Sequence, residues 1–214
     1  MYKRYAVIPS NGRDCLHQCV AAIEEQVDQV IVVDTSIHTP HIYSGNPKVR
    51  VLGVSGRINI SRWWNIGLNY AEGLAEEATA ETWDVAILND DAIVPYGWFK
   101  EVSDMMSYRG SAAGCSGGHN ITWDSPSPVP LDMRMQGFAF IVAGQFGLRA
   151  NEDLRWYFTD DYIDWESRKL GGMTMVKGYP VDHLHPNGQV TSEIQEIIAH
   201  DAEVFVSIYE SRPW

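Results

Sequence analysis

Within the first 110 residues, apolar runs of strand length alternate with stretches of helical periodicity, which confines the chain to a mostly parallel sheet covered by helices. Residues 5–9, 29–33, 49–54 and 85–88 read as strands. Residues 14–27 carry Leu16, Val20 and Ile23 at helical spacing, and residues 60–78 set Ile60, Trp64, Gly67, Leu68, Ala71 and Ala75 on one stripe. Residues 95–106 read as a further helix, with Pro95 in the first turn where its missing N–H is tolerated. The composition then shifts to Gly, Ser and Pro over residues 110–130, so a long irregular segment around one short strand at 112–116 is expected. Residues 137–142 return to strand, 160–170 to a short helix, 173–185 to one or two strands and 191–210 to an amphipathic terminal helix. No period of roughly 20–50 residues repeats, and 214 residues fit one domain at about 150 per domain.

The charge balance limits the partners. With 28 Asp and Glu against 16 Lys and Arg, the net charge of −12 repels polyanions; nucleic acid and anionic membrane are not expected as main partners, and a bound phosphate must be held locally. The longest apolar stretches, such as 30–33 and 138–143, fall far short of the roughly 18 residues a membrane span needs. The start M-Y-K-R-Y runs into A-V-I-P without the apolar region of a secretory signal, and Cys15, Cys19 and Cys115 form no C-x-x-C. Both features suit a reducing cytoplasm.

In open α/β sheets, ligands bind beyond the carboxyl ends of the strands, so the residues delivered there matter most. Ser10, Asn11 and Arg13 follow the first strand, Asp34, Thr35 and Ser36 the second, and Asn89, Asp90 and Asp91 the fourth. Ser, Asn and Asp also cap helices and build turns, but two adjacent carboxylates after a buried strand call for a cation, solvent or a proton. In an extended chain Asn89 and Asp91 would face one way and Asp90 the other, which makes Asp91 the residue to meet a metal.

A second acidic group comprises Asp160, Asp161 and Asp164. Asp160 suits the first turn of a helix and Asp164 can pair with Arg168 four residues on, which leaves Asp161 without a helical partner and makes it the candidate general base. His183 and His185 form an H-x-H pair, and neutral imidazole is a common metal ligand. Arg57 and Arg62 flank the mouth of the long helix, where an anion is favoured. Trp98, Trp156 and Trp165 are either core or the lining of a sugar-sized cleft.

These residues resemble the GT-A glycosyltransferases of the family 2 type, including short soluble bacterial and phage-encoded members. V-I-P-S-N-G-R at 7–13 is similar to that family's opening strand and loop, and V-I-V-V-D-T-S at 30–36 to its second strand, which ends in an aspartate that contacts the donor nucleoside. N-I-S-R-W-W-N-I-G at 59–67 resembles the helix that sets Arg or Asn beside the donor phosphates. I-L-N-D-D at 87–91, followed by Gly97, Trp98 and Phe99, resembles the L-N-N-D version of the D-x-D motif. The run Asp160, Asp161, Asp164 resembles the acidic pair E-D-x-D, one residue longer between the acids, so the base is one of these three.

The resemblance implies a mixed, mostly parallel, Rossmann-like α/β sheet flanked by helices in a single domain over 1–214. Residues 1–110 would form the nucleotide-sugar half, 111–190 the acceptor and catalytic half, and 191–214 a terminal helix. Pro9, Ser10, Asn11, Arg13, Asp34, Thr35, Arg62, Asn65, Asn89 and Asp90 would line the donor. A divalent cation, Mn²⁺ or Mg²⁺, would sit on Asp91 with His183 or His185. The implied reaction is inverting transfer of a sugar from a nucleotide sugar, with UDP favoured over dTDP or GDP, to a hydroxyl of a glycan or protein. The alternatives are an inactive carbohydrate- or nucleotide-sugar-binding protein and a sugar nucleotidyltransferase. The second expects repeated glycines that S-N-G-R at 10–13 lacks, and a two-metal phosphoesterase expects G-D-x-H and G-N-H signatures that are also missing. The location implied is the cytoplasm, that of the host if the chain is phage-encoded.

Overall fold

The computed structural model describes residues 1–36, 43, 45–185 and 191–213. Along the chain the elements are β1 (Tyr2–Ser10), α1 (Leu16–Ile23), β2 (Gln29–Asp34), β3 (Val49–Gly53), α2 (Ile60–Glu77), β4 (Thr82–Leu88), β5 (Ala92–Ile93), α3 (Trp98–Arg109), β6 (Ala113–Gly117) and β7 (Ile121–Trp123). They continue through β8 (Ala139–Ala143), α4 (Thr159–Leu170), β9 (Met173–Lys177), β10 (Asp182–His183) and α5 (Ser192–Tyr209). Eight strands form one sheet in the order β3-β2-β1-β4-β8-β6-β9-β7, and β5 pairs with β10 apart from it. β1 lies parallel to β2 and β4, and β2 to β3; β8 is antiparallel to β4 and β6, β9 parallel to β6, and β7 antiparallel to β9. Only β8 and β7 therefore oppose the common direction.

Continuous apolar runs in β1, β2 and β4 follow from burial on both faces. Ala6, Ile8, Val30, Val32, Ala86 and Leu88 face α1 and α3, whereas Tyr5, Val7, Ile31, Val33, Val85 and Ile87 face α2. The stripe expected on α2 is the one it buries, through Trp64, Gly67, Leu68, Ala71 and Ala75. Gly67 lets the helix lie against β1, since a Cβ there would sit 2.2 Å from a Val7 methyl. Asn59 caps the helix by accepting the Arg62 N–H at 2.9 Å.

α1 and β7 are among the elements that differ from the sequence expectation. α1 stops at Ile23 instead of continuing to residue 27, because the Gln26 side chain donates to the Ala22 carbonyl while the Gln26 N–H turns to Ile23. The irregular segment after residue 110 holds a second short strand, β7, registered against β9 from Ile121 opposite Met175 to Trp123 opposite Met173. None of the described helices is long and apolar enough to cross a membrane.

Candidate active site

Because β1, β2 and β4 are parallel, their carboxyl ends form one rim, with Ser10 opposite Asp34. The loop residues after β1 and β4 interlock there. Ser10 Oγ donates to Asp90 Oδ2 at 2.8 Å, and Arg13 Nη1 donates to Asp90 Oδ1 at 3.1 Å. The same guanidinium lies 3.1 Å from Asp91 Oδ2 through Nη2. The chain turns at Asp90 and Asp91 instead of staying extended, so the expected alternation does not apply and both carboxylates reach Arg13. Burial pushes the Asp90 carboxyl up against the opposing pull of Ser10 and Arg13. For Asp91 burial acts in the same direction, but His183 and Arg13 outweigh it and hold the carboxyl below its ordinary value.

The pairing of β5 with β10 sets Ala92 opposite His183 and so delivers the imidazole to Asp91. His183 Nε2 lies 3.1 Å from Asp91 Oδ1, and the Leu184 N–H donates to the Asp91 carbonyl at 3.0 Å. Phe138 stacks on the imidazole with ring centroids 4.4 Å apart and planes 15° apart. His185 is exposed and makes no hydrogen bond or ion pair with the described residues, so His183 is the histidine that meets the aspartate.

Asp91 Oδ1 is buried and has an ion-pair contact but no aligned hydrogen bond, which leaves a lone pair for a further partner. Among the described residues no third His, Cys, Asp or Glu completes a cage around it. Hard divalent cations often take one or two protein groups and fill the remaining positions with water and substrate phosphate oxygens. Asp91 and His183 fit a cation of that shared kind.

The other expected donor residues divide by what they touch. Thr35 donates to the Ser10 carbonyl through its N–H at 2.8 Å and its Oγ1 at 3.1 Å, tying the first two rim loops together. Asp34 is buried at the end of β2, and its Oδ1 accepts the Ser36 N–H at 2.8 Å. Pro9 is buried inside β1, Asn11 is exposed beside Arg13, and Asn89 presents a half-buried side chain at the end of β4. Arg62 is exposed on the first turn of α2. Asn65 has a structural role: its Nδ2 donates to the Ala150 carbonyl and Glu152, and its Oδ1 accepts the Ala150 N–H at 2.8 Å. Both ends of its amide pin the loop after β8.

The second acid group sits on the first turns of α4. Asp164 accepts a bidentate pair from Arg168 at 2.8 and 2.7 Å, with both side chains buried, as the four-residue spacing implies. Asp161, without a partner on its own helix, is met from outside it: Arg134 Nε donates to its Oδ1 at 3.0 Å from the segment before β8. Burial and the neighbouring Asp160 push the Asp161 carboxyl up to about 8 despite that guanidinium. Burial also raises Asp160 and Asp164. A carboxylate raised toward neutrality is suited to taking a proton.

One stretch joins the two acid groups. Arg134 grips Asp161, Gly137 lies against Asp160 so closely that a Cβ would come 2.4 Å from Asp160 Oδ2, and Phe138 covers His183. The Phe138 carbonyl accepts the Asn89 N–H at 2.8 Å. The local sequence pattern does not single out these three residues, since their contacts lie 23 and more positions apart. Of the tryptophans, Trp98 is buried and donates to Ser116 Oγ at 3.0 Å, Trp165 packs on Phe205 and Tyr209, and Trp156 alone of the three is exposed.

The topology is that of the GT-A class, a mostly parallel α/β sheet flanked by helices. The particular solved structures that share it include S. aureus TarS. The chain matches TarS 1–349 with a TM-score of 0.60 at 11% identity over 96% of this chain and 72% of that one. It matches the complex of TarS 1–349 with UDP at 0.65 and 11% identity, over 95% and 65%. Against TarS itself it gives 0.62 at 12% identity, over 95% of this chain and 40% of that one. The chain thus spans about two thirds of TarS 1–349 and less than half of the longer TarS chain. No protein-family model and no curated protein matches the chain.

Proposed function

We propose that the chain is a glycosyltransferase that moves a sugar from a UDP-sugar to an acceptor hydroxyl of a glycan or protein, with inversion at the anomeric carbon. The observation that carries this reading is the convergence of Ser10, Arg13, Asp90, Asp91 and His183 at the carboxyl rim, joined through residues 134–138 to the raised carboxyl of Asp161. Its likeness in fold to a protein solved with UDP and with UDP-GlcNAc supports the choice of donor.

In this reading Asp161 accepts the proton of the acceptor hydroxyl while the oxygen attacks the anomeric carbon. The bond from that carbon to the diphosphate breaks on the opposite face, and nucleoside diphosphate leaves with the electron pair. A divalent cation on Asp91 and His183, Mn²⁺ or Mg²⁺, supplies Lewis-acid neutralisation of that leaving group when bound. Arg13, 38% exposed at its side chain, adds a fixed positive charge on the same side.

The engagement of both Asp90 and Asp91 by Arg13 favours one second reading, a nucleotide-sugar-binding protein in which the guanidinium stands in for the cation. Titration calorimetry with UDP and UDP-GlcNAc, with and without Mn²⁺, followed by an assay of sugar release, separates the two. Mn²⁺-dependent binding with release supports the transferase. Binding that ignores Mn²⁺ and yields no release supports the second reading, and no binding of either ligand defeats both.

A further inference from the structure

α5 carries Asp201, Phe205 and Tyr209 at successive turns of one face, and Asp201 and Phe205 are wholly buried. A carboxylate removed from water must be compensated, and the partners of this one are specific. Asp201 Oδ2 accepts three consecutive backbone N–H groups, from Arg155 at 3.0 Å, Trp156 at 2.8 Å and Tyr157 at 2.9 Å. His200 Nδ1 lies 3.1 Å from the other oxygen. Such a run of amides around one anion fixes the backbone that carries it.

That backbone leads directly into α4. Phe158, the residue between the clamped amides and the helix, holds a left-handed φ of +59° without a side-chain cap, and its ring packs on Phe205 at 5.4 Å. A left-handed conformation at a bulky residue persists where its surroundings over-determine it. Here α5 supplies two of those constraints, the Asp201 carboxylate and the Phe205 ring. The same stretch is fastened to α2, where Ile60 N–H donates to the Arg155 carbonyl and Ser61 Oγ lies 3.0 Å from Thr159 Oγ1. Asp160 and Asp161 then occupy the first turn of α4, so the clamped loop sets where their carboxyls stand relative to Gly137 and Arg134.

We infer that Asp201 is a positioning residue for the α4 acids, holding Asp160 and Asp161 against Gly137 and Arg134 through the backbone of residues 155–157. Only its consequence for turnover rests on the transferase reading. The test compares Asp201→Asn with Phe205→Leu, which weakens the same helix face and leaves the carboxylate in place. Carbon-13 carboxyl resonances report the titration midpoint of Asp161 in each, and amide exchange reports residues 155–157.

In Asp201→Asn the midpoint is expected to move by one pH unit or more and exchange at 155–157 to quicken at least tenfold, while the Kd for UDP stays within twofold. Release of sugar from UDP-GlcNAc is expected to fall tenfold or more in kcat with KM unchanged. Phe205→Leu, which loosens only the ring contact and keeps the amide clamp, is expected to move the midpoint by less than a third as much. An unmoved midpoint in Asp201→Asn, or an equal movement in Phe205→Leu, overturns the inference. If Asp201→Asn does not fold, Asp201→Glu, which keeps the charge on a longer arm, is judged by the same criteria. Failure of the wild-type chain to bind UDP defeats the transferase reading and leaves the titration comparison to decide the role of Asp201.

Discussion

The rim cluster and the α4 cluster are both built from aspartates and arginines, yet they treat charge in opposite ways. At the rim, Asp91 has a guanidinium on one side and an imidazole on the other, and its carboxyl is held below the ordinary value. On α4, Asp161 has one guanidinium and no imidazole, and burial together with the neighbouring Asp160 carries it up to about 8. Two carboxylates whose environments push them apart are the usual sign of divided roles, one to hold positive charge and one to take a proton. Asp164 supplies the internal control: equally buried on the same helix, it is locked by a bidentate arginine and serves the fold.

The largest expected effects separate Asp161 from Asp164. Asp161→Asn should lower sugar release by about 10²–10⁴-fold, the range for loss of a general base, with the Kd for UDP nearly unchanged. Asp164→Asn should act on stability, because it strands a buried Arg168, at a cost of about 3–5 kcal/mol measured by denaturant unfolding. Normal release by Asp161→Asn would transfer the base role to Asp160 and break the contrast.

A smaller effect is expected at the rim. Asp91→Asn and His183→Ala should each weaken Mn²⁺-supported UDP binding by about tenfold to a hundredfold, on the scale of metal-site substitutions. EDTA should bring the wild type down to the level of these variants, whereas His185→Ala should track the wild type, since His185 is exposed and His183 is the one beside Asp91. Equal losses in the two histidine variants would undo the assignment made by the β5–β10 pairing.

The pH dependence sharpens the same contrast. With Asp161 near 8, the ionised base is scarce below that pH, so release should rise roughly tenfold between pH 7 and 9 and then level off, following the ionised fraction. Asp91 works ionised and is already charged throughout that range, so UDP binding should stay flat over the same interval. A release profile with its inflection near the ordinary carboxylate value would mean that solvent reaches Asp161 during turnover.

The first half of the molecule was legible because its strands are buried on both faces and its helices on one. β2 was expected at 29–33 and spans Gln29–Asp34, and α2 was expected at 60–78 and spans Ile60–Glu77. The two-residue strands β5 and β10 and the three-residue β7 are too short to show a period, yet the β5–β10 pair decides which histidine reaches Asp91. Motif chemistry located Asp90, Asp91 and the α4 acids, since adjacent carboxylates are conspicuous anywhere. It missed Arg134 as the partner of Asp161 and the hold of Asn65 on the loop after β8, because the first is a contact across 27 residues and the second an amide used by a loop 85 residues away. Local spacing carries no information on such pairs.

The smallest expected effect tests the link between the regions. Gly137 touches Asp160 on one side and precedes Phe138, the ring stacked on His183, on the other. A methyl group there would fall 2.4 Å from Asp160 Oδ2 and 2.8 Å from its Cβ, so side-chain rotation alone does not relieve it and either α4 or the segment before β8 must shift. Overpacking of this kind costs about 1–3 kcal/mol. If residues 134–138 couple the clusters, Gly137→Ala should reduce release several-fold and weaken Mn²⁺-supported UDP binding about twofold, since displacement of Phe138 disturbs His183. If release falls while UDP binding keeps its wild-type Mn²⁺ dependence, the strain is absorbed on α4 alone, and the two clusters act as neighbours that share a segment without sharing its movement.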